Sequence, residues 1–108
     1  MNVPQDIVDT LPDRRQTMAD HKAGGGLVAA VYPYHQPRAL LRAFDILPVE
    51  VWGPPGRDPT PADAHVQPYV CSVIRCGLAL LVSDGLAEAD LVMVPHGCDS
   101  LQGMGSLL

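Results

Sequence analysis

The stretch Tyr69–Leu108, YVCSVIRCGLALLVSDGLAEADLVMVPHGCDSLQGMGSLL, decides the predicted fold. It alternates a helical pattern, a short apolar run and a second helical pattern, and it carries all three cysteines of the chain. In the first helical pattern Ile74 and Leu78 recur at helical spacing. The run LVMVP, residues 91–95, predicts a strand of the fully buried type, and the next helix is predicted to begin near Cys98. This alternation of helix and strand is typical of an α/β domain.

Two further apolar runs precede this stretch and predict two more strands. They are LVAAVYP, residues 27–33, and ILPVEVWG, residues 46–53. A helix is predicted between them, and a strand–helix–strand unit implies parallel pairing with a right-handed crossover. The following segment, residues 53–68, contains five prolines and is predicted to form a loop without helix or strand across the carboxyl edge of the sheet.

The helix between the first two strands is predicted to run from Arg38 to Phe44, directly after Pro37. Leu40, Leu41 and Phe44 form its predicted apolar face. The next residue, an aspartate, stands where a glycine usually ends a helix.

These elements predict an α/β fold, a parallel three-layer sandwich that forms one half of a flavodoxin- or Rossmann-like domain. Residues 1–22 are predicted to form a surface helix or tail, with Asp9 or Thr10 as the N-cap. Residues 23–108 are predicted to be the N-terminal part of a larger α/β domain. The sequence ends on two leucines inside an apolar helical pattern, and we therefore expect a truncated domain.

Charge and composition exclude several classes of function. The 7 basic residues are scattered and are outnumbered by 12 acidic ones, which argues against a nucleic-acid-binding surface. No run approaches the ~20 apolar residues that a membrane span needs, and the N-terminus lacks the pattern of a signal peptide. We therefore predict a cytoplasmic protein without a membrane segment. The odd number of cysteines favours reduced thiols or metal ligands over a disulfide framework.

The cysteines differ in their predicted positions. Ligands of parallel α/β sheets bind at the carboxyl ends of the strands, and both Cys71 and Cys98 fall there, at helix N-termini. Free amides and the helix dipole stabilise a thiolate at such positions, and thiolates bind iron or zinc. Cys76 is five residues beyond Cys71, which is a rotation of roughly 140° around the helix, and it is predicted to face the core.

A second interpretation of the same residues is nucleophilic catalysis. An exposed cysteine can attack a substrate when a histidine lies within reach, and His35, His65 and His96 all occur in predicted edge loops. The spacing of the residues alone does not choose between a metal site and a nucleophile.

Three segments carry a resemblance to a known family. They are VYPYHQPRALLRAFDILPVEVWG (residues 31–53), YVCSVIRCGLALL (69–81) and DLVMVPHGCDSL (90–101). Their succession resembles the subunits of 2-hydroxyacyl-CoA dehydratases and benzoyl-CoA reductases, with an aromatic residue shortly before one cysteine and a strand that ends in Cys-Asp. The resemblance covers about residues 23–108.

The resemblance implies a flavodoxin-like domain whose edge cysteines hold a 4Fe-4S cluster, with Cys71 and Cys98 as ligands. Ser72 and His96 would tune the cluster through hydrogen bonds, and His35 is a candidate substitute ligand. In the dehydratases, an ATP-hydrolysing activator protein supplies one electron, and water is then eliminated from a 2-hydroxyacyl-CoA by a radical mechanism. A homologous second subunit is the implied partner. In the benzoyl-CoA reductase branch, related clusters pass electrons to an aromatic ring.

The chain departs from the family pattern in its first turn. A further ligand cysteine is common near the position of Pro33 or Tyr34, and a glutamate is usual where Ala39 stands. The usual Ala-Gly pair is Phe44-Asp45 in this sequence. Two expectations follow: a cluster-bearing dehydratase fragment that is inactive by itself, or a scaffold subunit of the same fold without a cluster.

Overall fold

A computed structural model describes residues 2–52, 57–83 and 85–108. Its centre is a sheet of three parallel strands in the order β2-β1-β3, which confirms the predicted parallel α/β fold. Across these residues, no helix combines the length and apolar character needed to cross a bilayer. The strands are β1 (Leu27–Val31), β2 (Ile46–Glu50) and β3 (Leu91–Met93).

β1 is the central strand, and both of its faces are covered. Four of its five residues are buried, and only Leu27 at its start is exposed. Ala29 pairs with Pro48 on one side and with Leu91 on the other. A continuous run of valine and alanine suits such a strand because neither face meets water.

The predicted full burial of β3 is wrong. Leu91 and Met93 are half-buried and Val92 is 38% exposed, since β3 lies at the edge of the sheet and pairs only with β1. β3 also ends at Met93 and β2 at Glu50, before the predicted ends of both strands. Residue 53, the predicted end of β2, lies outside the described residues.

Six helices accompany the sheet in the described residues, and they cover both of its faces. Alternate residues of β1 belong to two separate cores, which places the cores on opposite faces. The main core includes Tyr32, Leu78 and Leu101, and the smaller core is closed by Leu41. The helices are α1 (Gln5–Asp9), α2 (Arg14–Ala23), α3 (Arg38–Ala43), α4 (Thr60–Asp63), α5 (Ser72–Val82) and α6 (Asp99–Met104).

The N-terminal segment forms two helices where one was predicted. The N-cap of α2 is Asp13, whose carboxylate accepts a hydrogen bond from the Gln16 amide at 2.8 Å, so the prediction of Asp9 or Thr10 as the cap is wrong for this helix. Gln16 follows Asp13 at the spacing of a capping box, but its side chain donates to Asp20 Oδ1 at 2.7 Å instead of reaching back to the cap. α2 contributes Met18, which is 1% exposed, to the main core.

The end of α2 is joined to the amino end of the sheet by hydrogen bonds to Asp90. The Asp90 carboxylate accepts hydrogen bonds from the Val28 amide at 2.8 Å and from Lys22 Nζ at 2.9 Å. The backbone bond from Val28, followed by the bond from Lys22, lowers the pKa of Asp90. The carboxylate therefore joins α2, β1 and the start of β3 in its charged form.

The predicted apolar face of α3 is only partly buried. Leu41 is 7% exposed, whereas Leu40 is 57% and Phe44 72% exposed. Leu41 faces the sheet, and Leu40, which is rotated by about 100° around the helix, is exposed to solvent. Phe44 is the C-cap and leaves the helical backbone, and Asp45 follows with φ +57°, the left-handed conformation for which glycine is usual.

The proline-rich segment contains a short helix, α4, although none was predicted there. The Asp58 carboxylate accepts a hydrogen bond from the Thr60 amide at 2.9 Å, and Pro61 stands in the first turn, where a missing N–H is tolerated. Ala62 is fully buried in the main core. Residues 53–56 of the predicted loop lie outside the described residues.

Candidate functional site at the carboxyl edge of the sheet

The turns that follow β1 and β3 meet at the carboxyl edge. A Cβ atom added to Gly97 would lie 3.5 Å from Tyr34 Cβ, which is ordinary van der Waals contact. The first turn therefore packs against the backbone immediately before Cys98. An alanine at position 97 would therefore fit against Tyr34 without moving the two turns apart.

The first turn has an unusual backbone. Tyr34 (φ 79°) and His35 (φ 53°) are consecutive non-glycine residues in the left-handed region, which costs roughly 1–2 kcal/mol per residue. Backbone strain of this kind is concentrated at functional sites. His35 is exposed, and it lines a cavity of about 260 Å³ together with Met93, Val94 and Pro95.

Cys71 and Cys98 occupy equivalent positions in two helices. Each is the N-cap, Cys71 of α5 and Cys98 of α6, and each is exposed. Neither side chain makes a capping hydrogen bond. Their predicted placement at helix starts is confirmed, and their role as metal ligands stays a prediction.

Cys76 is separated from this pair. It is half-buried, and its thiol lies 3.8 Å from the Arg57 carbonyl oxygen, to which it donates. It is not among the residues of the main core, so the prediction that it faces the core holds only in part. Its position beside the Arg57 carbonyl shows that Cys76 faces the segment before α4.

The described residues do not assemble a complete metal-binding group. A 4Fe-4S cluster is held by several thiolates, usually four. Cys71 and Cys98 have suitable chemistry and exposure, yet residues 2–52, 57–83 and 85–108 contain no group of three or more His, Cys, Asp or Glu side chains placed to hold a metal. A complete cluster does not fit the described part of this chain by itself.

Ser72 and His96 adjoin the two exposed cysteines. Ser72 is the first residue of α5, and His96 lies in the turn two residues before Cys98; both are exposed. Among the side-chain hydrogen bonds of the described residues, none involves Ser72, His96 or His35. Their proposed roles around a cluster stay predictions.

A second cavity, of about 320 Å³, lies beside the two cysteines. One wall is the segment immediately before Cys71, and the other is α6 with the residues after it, which follow Cys98. The sequence places His65 in an edge loop and indicates Asp99 or Ser100 as the cap of the last helix, whereas the N-cap is Cys98. The cavity itself depends on the packing of α6, which no local pattern predicts. The lining residues are His65, Val66, Gln67, Tyr69, Val70, Asp99, Ser100, Gly103, Met104 and Leu107.

Tyr32 is a buried polar residue that sequence reasoning also missed. It directly follows β1 and is fully buried, and among the described residues its hydroxyl has no hydrogen-bond partner. Burial raises the pKa of Tyr32 to about 12. Its ring packs against α5, where a Cβ on Gly77 would lie 3.3 Å from Tyr32 Cε1.

Tyr32→Phe is expected to stabilise the protein. An unpaired buried hydroxyl costs roughly 1–3 kcal/mol of desolvation, so we expect the free energy of unfolding to rise by about 1 kcal/mol in urea titrations. Tyr34→Phe is the control, because Tyr34 is 57% exposed and its substitution should change stability by less than about 0.5 kcal/mol. A less stable Tyr32→Phe protein would mean that the hydroxyl has a partner, such as a buried water.

The parallel strands, the helices on both faces of the sheet and the two thiols at its carboxyl edge define an α/β protein of the flavodoxin-like class. The sequence model of the 2-hydroxyglutaryl-CoA dehydratase, D-component, family matches residues 33–108, more than two thirds of the chain. The chain belongs to this family, as its resemblance predicted.

Two curated relatives agree with this membership. The chain is 28% identical over 87 residues to the beta subunit of (R)-2-hydroxyglutaryl-CoA dehydratase from Acidaminococcus fermentans, covering 81% of this chain and 23% of the relative. It is 25% identical over 97 residues to the beta subunit of lactoyl-CoA dehydratase from Anaerotignum propionicum, covering 89% of this chain and 26% of the relative. The chain thus spans about a quarter of the length of these relatives.

Proposed function

We propose that the chain is part of a subunit of a 2-hydroxyacyl-CoA dehydratase and that Cys71 and Cys98 serve as iron ligands in it. Family membership over residues 33–108 supports the first statement. One observation carries the second: both thiols are exposed at helix N-caps, Cys71 after β2 and α4 and Cys98 after β3, the two outer strands of the parallel sheet.

The activity of the whole protein belongs to an assembly larger than this chain. Both relatives are named as beta subunits, which supports a second dehydratase subunit as the partner. An iron-sulfur cluster would supply single electrons to such an assembly, and an ATP-dependent activator is the proposed donor. We expect the chain by itself to lack dehydratase activity, because the described residues provide only part of a ligand set.

Anaerobic reconstitution with iron and sulfide tests the role of the two thiols. The wild-type chain is expected to take up iron and to develop broad charge-transfer absorption. Cys71→Ser and Cys98→Ser should each lose most of the bound iron, because a hydroxyl is a poor substitute for a soft thiolate ligand. Cys76→Ser is the matched control and should retain the iron, since this half-buried thiol faces the Arg57 carbonyl.

A colourless protein with three freely titratable thiols would contradict the iron-ligand proposal. That result would favour a second candidate function, a partner subunit that keeps the fold without a cluster. The specific observation in favour of this second candidate is the lack of a three-residue ligand group in the described parts of the chain. Family membership would be unaffected by either result.

A further inference from the structure

An arginine-rich cavity of about 340 Å³ lies between the start of α2 and the end of α5. Three of the chain's 7 basic residues line it, although the net charge of the whole chain is −5. Two of the three, Arg14 and Arg57, are half-buried. Among the described residues, the lining consists of Asp13, Arg14, Arg15, Arg57, Leu80 and Gly85.

The three arginines differ from most other basic residues in their pairing. Elsewhere in the described structure, basic side chains pair with carboxylates: Lys22 with Asp90, Arg38 with Glu50, and Arg75 with Asp63. Within residues 2–52, 57–83 and 85–108, no carboxylate lies within 4.0 Å of the guanidinium groups of Arg14, Arg15 or Arg57. Like charges that share a cavity repel one another, and an anion between them removes this repulsion.

The carboxylate of Asp13 balances only part of this charge. It accepts a hydrogen bond from the Gln16 amide at 2.8 Å, as the cap of α2. Against the three arginines it leaves a formal excess of two positive charges among the described lining residues. Asp84, which follows Ser83 in the sequence, lies outside the described residues.

Arg57 is held in place at this cavity. Its Nη1 donates to Ser83 Oγ at 2.8 Å, and Ser83 Oγ donates in turn to the Ala79 carbonyl at 2.5 Å. The Arg57 carbonyl accepts from the Cys76 thiol at 3.8 Å, so both its main chain and its side chain contact α5. A guanidinium has five N–H donors in a planar fork that matches phosphate oxygens, and the side-chain hydrogen bonds among the described residues use one donor of Arg57.

We infer that this cavity binds a phosphate group, either free or carried by a small organic phosphate. A phosphate dianion matches the excess of two positive charges, and its oxygens accept bidentate bonds from guanidinium groups. Arg14 and Arg15 precede residues 33–108, the part that matches the dehydratase family. The proposal is therefore independent of the proposed function, and failure of either leaves the other untouched.

Titration of the full chain with inorganic phosphate, followed by amide NMR at constant ionic strength, tests the inference. We expect saturable shifts at the amides of Arg14, Arg15 and Gly85, and no such shifts with chloride. ADP and adenosine serve as further probes: tighter binding of ADP than of phosphate assigns an organic phosphate, equal or weaker binding assigns free phosphate, and adenosine should not bind at this cavity.

Substitutions distinguish this cavity from nonspecific attraction to positive charge. Arg57→Gln and Arg14→Gln should each weaken phosphate binding about tenfold or more, as expected for loss of a charge-assisted hydrogen bond. Arg42→Gln is the matched control, because Arg42 is exposed on α3 and has no carboxylate partner in the described residues. This substitution should leave the Kd for phosphate within about twofold.

If either cavity variant fails to fold, Arg15→Gln replaces it, because this side chain is exposed. Shifts that do not saturate, or equal weakening by Arg42→Gln, would overturn the inference.

Discussion

Gly77→Leu is expected to leave the protein largely unfolded, and Gly77→Ala to lower the free energy of unfolding by about 2–3 kcal/mol. A Cβ at this position would lie 2.8 Å from the Val51 carbonyl oxygen and 3.2 Å from Val51 Cγ1. The same added Cβ would lie 3.3 Å from Cε1 of the Tyr32 ring. Because the nearest atom belongs to the backbone, α5 must move away from the sheet to make room. Domains of this size are stable by only ~5–15 kcal/mol, so the expected loss is large.

The matched control for this substitution is Gly103→Ala. Gly103 is also a helical glycine, in α6, but nothing lies within 4 Å of an added Cβ. Alanine is intrinsically the better helix former by about 0.5–1 kcal/mol, so this variant should be slightly more stable than the wild type. Urea unfolding followed by circular dichroism measures both variants. Equal effects at the two glycines would show that Gly77 of α5 does not lie in close contact with the Val51 carbonyl oxygen.

Leu101→Ala is expected to lower the free energy of unfolding by about 3 kcal/mol, within the ~2–5 kcal/mol range for truncation of a buried leucine. Leu101 is fully buried, and with Met104 it attaches α6 to the main core. A helix of six residues is not stable in isolation, so its position depends on these two side chains. Hydrogen exchange of the α6 amides should increase together with the loss of stability.

Leu107→Ala is the control for truncation at Leu101. Leu107 is 49% exposed, and its truncation should cost less than about 1 kcal/mol. The comparison also concerns the site, since Cys98 is the N-cap of α6 and its position depends on the docking of that helix. If Leu101→Ala unfolds like the wild type, α6 is not attached through this residue.

The sequence predicts most of the sheet and the two cysteine positions because both depend on local patterns. The apolar run of residues 27–33 predicts β1, and apolar residues at helical spacing after Cys71 predict α5. The sequence predicts a helix start near Cys98 because this residue comes directly after a glycine and shortly after the apolar run of residues 91–95.

The wrong predictions concern features that depend on neighbours. The apolar run of β3 predicted full burial, but sequence composition does not reveal that this strand lies at the edge of the sheet. Counting prolines excluded a helix where Pro61 in fact occupies the first turn of α4. The exposure of Leu40 and Phe44 depends on which side of α3 meets the sheet, and a six-residue pattern does not fix that side.

Parts of the site could not be predicted because they depend on tertiary contacts. Tyr32 looked like the continuation of an apolar strand, and only its packing against α5 shows a hydroxyl without a partner in the described residues. The arginine cavity brings together residues 13–15, 57, 80 and 85, which are far apart in the sequence, so no local motif predicts it. The left-handed backbone of Tyr34 and His35 likewise has no glycine to indicate it.

The strand order β2-β1-β3 gives the sheet two outer borders that differ in their capacity for strand addition. Pro48 lies within β2 and cannot donate a hydrogen bond, so a chain added beyond β2 would form an incomplete ladder. The border at β3 has no proline within its three residues, and Pro95 follows two residues after the strand ends. A short strand, from a continuing chain or from a partner, is therefore accommodated beside β3 rather than β2. Pro48 limits edge-to-edge aggregation at the border formed by β2, and the short length of β3 limits it at the other border.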